Sequence, residues 1–419
     1  MPRGQVSIRF ARKVDTWVGL AACALLYEYA RLRREGLPRH RATTPPRADR
    51  PSFAPKRILT IKTYGLGNMA ILLPVLAALR REYPGAEIDV LTLDSNCDFI
   101  ERSGLIDRTI PLRLDSLRTV ASSLWSIVRT TRSREYDLVI DFEQFIKLSS
   151  IIAYLTRAPV RVGYNTDAQK RGWLYTTRVV YTDGEHMSMI FSRLLRPLDV
   201  DASLASFEIP TRPEEDARIE RFLAEAGIPA GFQPLVAMHV GSGTNFSDVP
   251  LKRWPPAYFA RLADELITRH GAAVVFTGKG REEQELIRTT MDLMKEGAVN
   301  ACDRFGIGEL LSFLRRCTLT VSNDTSVMHL SAVMDTPVVA LFGATSPQQY
   351  GPLHPDRHLI FYRDLYCSPC VTNYNLKVSH CEDAVCMRDI TVGAVLEGIE
   401  RKYLGAAAPQ PLLHRTGKG

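Results

Sequence analysis

Long apolar runs are scarce in this chain of 419 residues. The uninterrupted apolar stretch near the N-terminus, Trp17 to Tyr27, covers 11 residues, well short of the roughly 20 that a helix needs to span a bilayer. No small-residue cleavage pattern follows it, because Tyr27-Glu28-Tyr29 and a basic run come next. A removable secretory leader is therefore not the reading. The body also lacks a basic patch interleaved with aromatics, which leaves out nucleic acid as a partner.

What charge there is lies unevenly. The first 57 residues carry 13 Lys/Arg against 4 Asp/Glu, while the whole chain is only +7, so the remainder is slightly acidic. Basic residues flank the apolar stretch of Arg9 to Arg34, with Trp17 and two tyrosines inside it. That pattern predicts an interfacial helix on an anionic membrane surface, and a helix docked on the protein's own body or on a partner is the alternative. Residues 36–55, rich in Pro, Arg and Thr, read as a tether. The length suits two domains, here 56–210 and 211–405, after a basic segment 1–55 and before a tail 406–419.

The most informative stretch is Leu319 to Ser346, LTVSNDTSVMHLSAVMDTPVVALFGATS. It reads as a buried strand, a polar turn, a short helix carrying Met328 and His329, then a second buried strand after Pro337. Two parallel strands flanking a helix bring polar residues and a helix N-terminus to one rim, where phosphates bind. Earlier, Lys56 to Lys62 is a strand followed by the turn Thr63-Tyr64-Gly65-Leu66-Gly67-Asn68 and a helix from Met69 to Arg81, which Pro74 should kink. That turn is not Gly-x-Gly-x-x-Gly, so alone it says little. Tyr136 to Phe142 is a further buried strand, with Asp141 and Glu143 at its carboxyl end. Gly184 to Leu198 reads as a helix opened by His186.

Asp324-Thr325-Ser326 with His329 resembles the D-T-G-x-x-H signature of glycosyltransferase family 9, the bacterial heptosyltransferases. Phe342-Gly343-Ala344-Thr345 is similar to the family's F-G-P-T, Lys252-Arg253-Trp254-Pro255 to its K-R-W-P, and the glycine turn after Lys62 to its S-x-x-G-D. Ser326 stands where the family usually has Gly, and Asn68 where it has the Asp taken as general base. The resemblance implies an α/β fold of GT-B type: two Rossmann-like, doubly wound domains facing a cleft, behind the interfacial helix. It implies a donor site of Ser242, Lys252, Glu282, Asp324, Thr325, Ser326, His329 and Gly343, with Lys252 meeting the charge of a departing diphosphate. An amide accepts no proton at neutral pH, so Asn68 is left to orient the acceptor, and Glu143, then Asp141, becomes the candidate base.

The expected function is an inverting, metal-independent transfer of a heptose-like sugar from a nucleotide diphosphate donor, ADP-heptose, to a lipid-linked envelope glycan such as lipopolysaccharide core. The place is the inner face of the cytoplasmic membrane. No Asp-x-Asp motif is apparent to hold a divalent cation against the diphosphate, so protein groups should neutralise it. A non-catalytic nucleotide-sugar-binding protein, with Asn68 marking the lost base, is the alternative, and an epimerase of the same fold is a third. Cys367, Cys370, Cys381 and Cys386 near His380 allow a structural zinc, two disulfides or free thiols. No cofactor is expected for catalysis.

Overall fold

The protein is represented by a computed structural model that describes residues 8–33, 53–201, 206–243, 250–375 and 378–405. The tether expected over 36–55 lies outside them up to residue 52, as do Thr244 and the tail 406–419. The chain divides into two compact units, Met1–Glu208 and Ile209–Gly419.

The first unit opens with α1 (Ile8–Leu32), then runs β1 (Arg57–Ile61), α2 (Leu66–Glu82), β2 (Glu87–Leu93), α3 (Asp94–Glu101) and β3 (Arg108–Leu112). It continues through α4 (Leu117–Ser133), β4 (Leu138–Asp141), α5 (Lys147–Leu155), β5 (Val160–Asn165), β6 (Thr177–Val180) and α6 (Met187–Ser192). All its strand pairs are parallel. With helices covering them, the central strands are buried continuously instead of alternating, the pattern of a sheet without a solvent face. Helix α2 begins before Met69 and runs through the buried Pro74 without a break. It is buried along almost its whole length, so packing outweighs one lost backbone donor. The helix expected over Gly184 to Leu198 is shorter, because Pro197 turns the chain into a 3-10 turn at Arg196–Leu198.

The second unit contains α7 (Pro213–Glu225), β7 (Leu235–His239), α8 (Pro256–His270), β8 (Ala273–Gly278), α9 (Gly280–Asp292) and β9 (Val299–Cys302). Then come α10 (Ile307–Arg316), β10 (Leu319–Asn323), α11 (Ser326–Val333), β11 (Val338–Phe342), α12 (Pro347–Tyr350), β12 (Leu359–Tyr362), α13 (Val385–Arg388) and α14 (Val392–Lys402). The sheet orders are β3-β2-β1-β4-β5-β6 and β12-β11-β10-β7-β8-β9. Counted within each unit, both are 3-2-1-4-5-6, the doubly wound order in which the winding reverses between the first and fourth strands. The reversal points are β1/β4 and β7/β10, so a ligand crevice belongs at the carboxyl ends of those strands.

Helix α1 packs beside α5 on the first unit. Cys23, Tyr27 and Ala30 are buried against Tyr154 and Leu174, and the Asp15 carboxylate accepts the N–H groups of Lys147 and Leu148 at 2.8–3.1 Å. A carboxylate there satisfies donors that the first turn of α5 leaves open. The sequence expectation of a purely interfacial helix is corrected on this side: one face of α1 belongs to the protein's own body. Among the described residues no helix is long and apolar enough to cross a membrane.

Candidate active site

In the second unit, β7 and β10 are neighbours, and their carboxyl ends carry His239 and Asn323. Asn323 is fully buried and ties three segments together. Its amide donates to the carbonyls of Val240 and Gly241, and its Oδ1 accepts the Trp254 N–H at 2.9 Å. Trp254 is held in turn by its indole N–H to the Ile390 carbonyl at 2.8 Å and by packing on Phe259. This fixes Lys252, two residues before Trp254 in the turn Pro250–Lys252. Lys252 Nζ donates to Asp324 Oδ2 at 2.6 Å, and the Thr345 hydroxyl donates to the same oxygen at 2.7 Å.

Asp324 therefore does not cap α11. The N-cap is Thr325, without a side-chain cap bond, and Asp324 instead aims its carboxylate at the cation. Burial pushes its pKa up, but the Lys252 charge and the hydrogen bonds from Lys252 and Thr345 outweigh that and hold it below the ordinary aspartate value. The result is an ion pair at the reversal point of the sheet, beside the N-terminus of α11. Ser326 is half-buried in the first turn of that helix, and His329 is buried one turn on.

The other donor-side residues fall differently. Ser242 Oγ accepts from Arg253 Nε at 2.9 Å, and the same guanidinium pairs with the exposed Glu282. Glu283 is the inward residue of this acidic pair. It accepts the Lys279 N–H at 2.8 Å, lies 3.5 Å from His239 Nε2, and occupies the space where a Cβ on Gly241 would sit. Gly343 is also explained by packing, because a Cβ there would lie 2.5 Å from Met387 Sδ and 2.8 Å from Cys386 Sγ. Its small size serves the packing of α13 against the end of β11. Cys386 is buried in that contact, whereas Cys367 is exposed. Among the described residues no group of three or more His, Cys, Asp or Glu is gathered to hold a metal ion.

In the first unit the corresponding rim is internally satisfied. Glu143 accepts from Lys62 Nζ at 2.9 Å, from the Thr63 N–H and hydroxyl at 2.7 and 2.8 Å, and from the Tyr64 N–H at 3.1 Å. Burial alone would raise its pKa, but Lys62 and these donors reverse the shift and lower it. Such a carboxylate is a poor proton acceptor, so the reading of Glu143 as base does not fit; it pins the glycine turn. Asp141 is also committed, to Arg171 Nη2 at 2.8 Å and to the Tyr175 hydroxyl. Asn68 is half-buried in the first turn of α2. His186 is the N-cap of α6, its Nδ1 2.7 Å from the Ser188 hydroxyl. The expectation that the chain has no Asp-x-Asp is corrected: Asp199-Val200-Asp201 is one, and it belongs to the first unit, whereas the donor-side motifs belong to the second.

The model of glycosyltransferase family 9 (heptosyltransferase) matches residues 124–378, more than half of the chain. The chain belongs to that family. The lipooligosaccharide heptosyltransferase 2 of Haemophilus influenzae is 23% identical over 312 residues, covering 71% of this chain and 86% of its own length. Among solved structures, a family 9 glycosyl transferase from Veillonella parvula superposes with a TM-score of 0.70 at 24% identity, over 83% of this chain and 97% of that one. The ADP-heptose lipopolysaccharide heptosyltransferase II of Escherichia coli gives 0.65 at 21%, over 83% and 98%. These likenesses give the chain the family's two-domain GT-B fold. At this family 9 site, sequence reasoning gave Asn323 and Arg253 no role of their own within their motifs and missed Glu283. A polar residue closing an apolar strand was the available signal for Asn323; for Glu283 it was only its neighbourhood to Glu282.

Proposed function

We propose that this family 9 enzyme transfers a heptose from ADP-heptose, with inversion, to a lipid-linked envelope glycan such as lipopolysaccharide core, at the inner face of the cytoplasmic membrane. The observation that carries the reading is the Lys252–Asp324 pair at the second unit's reversal point. In an inverting displacement the acceptor oxygen forms a bond to the anomeric carbon as the bond to the diphosphate breaks. Negative charge then grows on the leaving diphosphate. Lys252, steered by Asp324, meets that charge together with the N–H groups at the start of α11, so on this reading no metal or other cofactor is needed for the chemistry.

On the acceptor side Asn68 orients the attacking hydroxyl, and its proton passes to a group other than Asn68, Asp141 or Glu143. The substitution of amide for carboxylate at Asn68 is also the observation that favours a second reading, a nucleotide-sugar-binding protein without turnover. The assay that separates them mixes the protein with ADP-heptose and a heptose-deficient glycolipid and follows ADP release and acceptor mass. ADP release matched by one added heptose supports transfer. Tight binding without ADP release supports the second reading, and altered sugar nucleotide without acceptor supports an epimerase. A zinc stapling Cys367, Cys370, Cys381 and Cys386 is a separate structural proposal, checked by the metal content of the purified protein.

A further inference from the structure

Helix α1 has two faces, and only one is accounted for. Asp15, Cys23, Tyr27 and Ala30 are turned onto α5 and its surroundings. A side chain at Gly19 would strike Lys147 Cβ at 2.8 Å, so the helix sits close to α5. These contacts lock its rotation. The opposite stripe then presents Trp17 (76% exposed), Val18, Leu25 (73%), Tyr29 and Leu32 (84%) to solvent. Val18, Leu25, Tyr29 and Leu32 recur at helical spacing, so they make one continuous line.

A second stripe lies in the same helical layer. Helix α4 also packs against α5, with Ile127 in the core shared with Ile152 and Ala153, and Arg132 Nε reaches the Leu155 carbonyl at the end of α5. Its outer face carries Arg118, Ser122, Trp125, Arg129 and Arg132, all exposed and again spaced by three or four residues. Trp125 is 73% exposed. Acidic residues on these two faces are few: Glu28 is paired with Arg31, and Asp115 and Glu135 flank the ends of α4. An apolar line beside an arginine line bearing a tryptophan is complementary to a bilayer with anionic headgroups, where aliphatic side chains enter the acyl boundary and guanidinium groups meet lipid phosphates.

We infer that α1 and α4 together form the docking face for an anionic lipid bilayer, with α1 supplying apolar insertion and Arg118, Trp125 and Arg129 of α4 supplying headgroup contacts. This rests on the membrane-surface reading under Proposed function and names a second element that the reading does not contain. The test is flotation of the full-length protein with phosphatidylcholine vesicles, with and without phosphatidylglycerol, for the wild type, Arg118→Gln/Arg129→Gln, Trp125→Ser and Leu25→Ser/Leu32→Ser, each checked for an unchanged melting temperature. Each arginine near an anionic surface contributes roughly fivefold in partitioning, so the double arginine variant should lose about twenty-fivefold on anionic vesicles. Its binding to neutral vesicles should not change, and added salt should weaken the wild type. Wild-type affinity in both α4 variants, alongside loss in Leu25→Ser/Leu32→Ser, would overturn the inference while sparing membrane attachment through α1. Absence of wild-type binding to any vesicle, including a wild type that only dimerises through α1, would overturn both.

Discussion

The two units share one strand order and put polar residues at the same topological place, yet the groups there are used in opposite ways. In the first unit, Lys62 and Glu143 are 3% and 4% exposed, and both carboxylate oxygens of Glu143 accept from Lys62, Thr63 or Tyr64. In the second, Lys252 and Asp324 are 17% and 10% exposed, in a pair whose cation still reaches solvent. The first arrangement fixes a backbone turn, whereas the second leaves a positive charge within reach of solvent, as the proposed grip on a diphosphate requires. A shared fold thus says where to look, and the state of satisfaction of each charge says what it does there.

The difference can be broken from either side. Removing the reachable cation should have the largest effect: Lys252→Ala is expected to lower kcat by about 10²–10³ with little change in melting temperature, measured by ADP release. Glu143→Gln should act on stability, because it strands Lys62 in a buried site, and a cost of about 3 kcal/mol in denaturant unfolding is expected. The folded fraction should keep its kcat within a few-fold; a large loss of kcat in fully folded protein would return Glu143 to the chemistry.

Smaller effects sharpen the contrast. Asn68→Asp restores a carboxylate at the acceptor-side turn and should raise kcat about tenfold, with a new ionisation on the acid limb of the pH profile. A flat response would place deprotonation elsewhere. Glu282→Gln, in an exposed pair with Arg253, should alter the KM for ADP-heptose by less than about threefold, since such pairs contribute little. Glu283→Gln should change it more, because Glu283 is the half-buried partner of the buried His239. The lowered folded-state pKa of Asp324 also sets a sign: its contribution to stability is present above the unfolded value near 3.9 and is lost only as pH falls through the lower folded value. The Lys252–Asp324 pair should accordingly survive mild acid.

Much of this was legible in sequence, for identifiable reasons. Buried parallel strands read as continuous apolar runs, so the α/β class followed from stretches such as Leu319 to Val321 and Val338 to Phe342. The motif order carried the family. What sequence could not give was the direction of individual side chains. Glu282 and Glu283 are adjacent in one helical turn, and only the rotation of α9 decides that the second faces His239. Asn323 joins Trp254 across 69 positions, a contact no local pattern contains. Helix α1 carries apolar residues around most of its circumference, so its pattern alone could not tell the face laid on α5 from the one left to solvent.

Hydrogen exchange of the free and ADP-saturated protein tests the central claim most directly, that the second unit's reversal point holds the diphosphate. The account predicts new protection in the amides of Val240 to Gly243, Arg253 and Thr325 to Met328, with Thr63 to Asn68 and Glu143 unchanged. Protection confined to the glycine turn and Glu143 would contradict it.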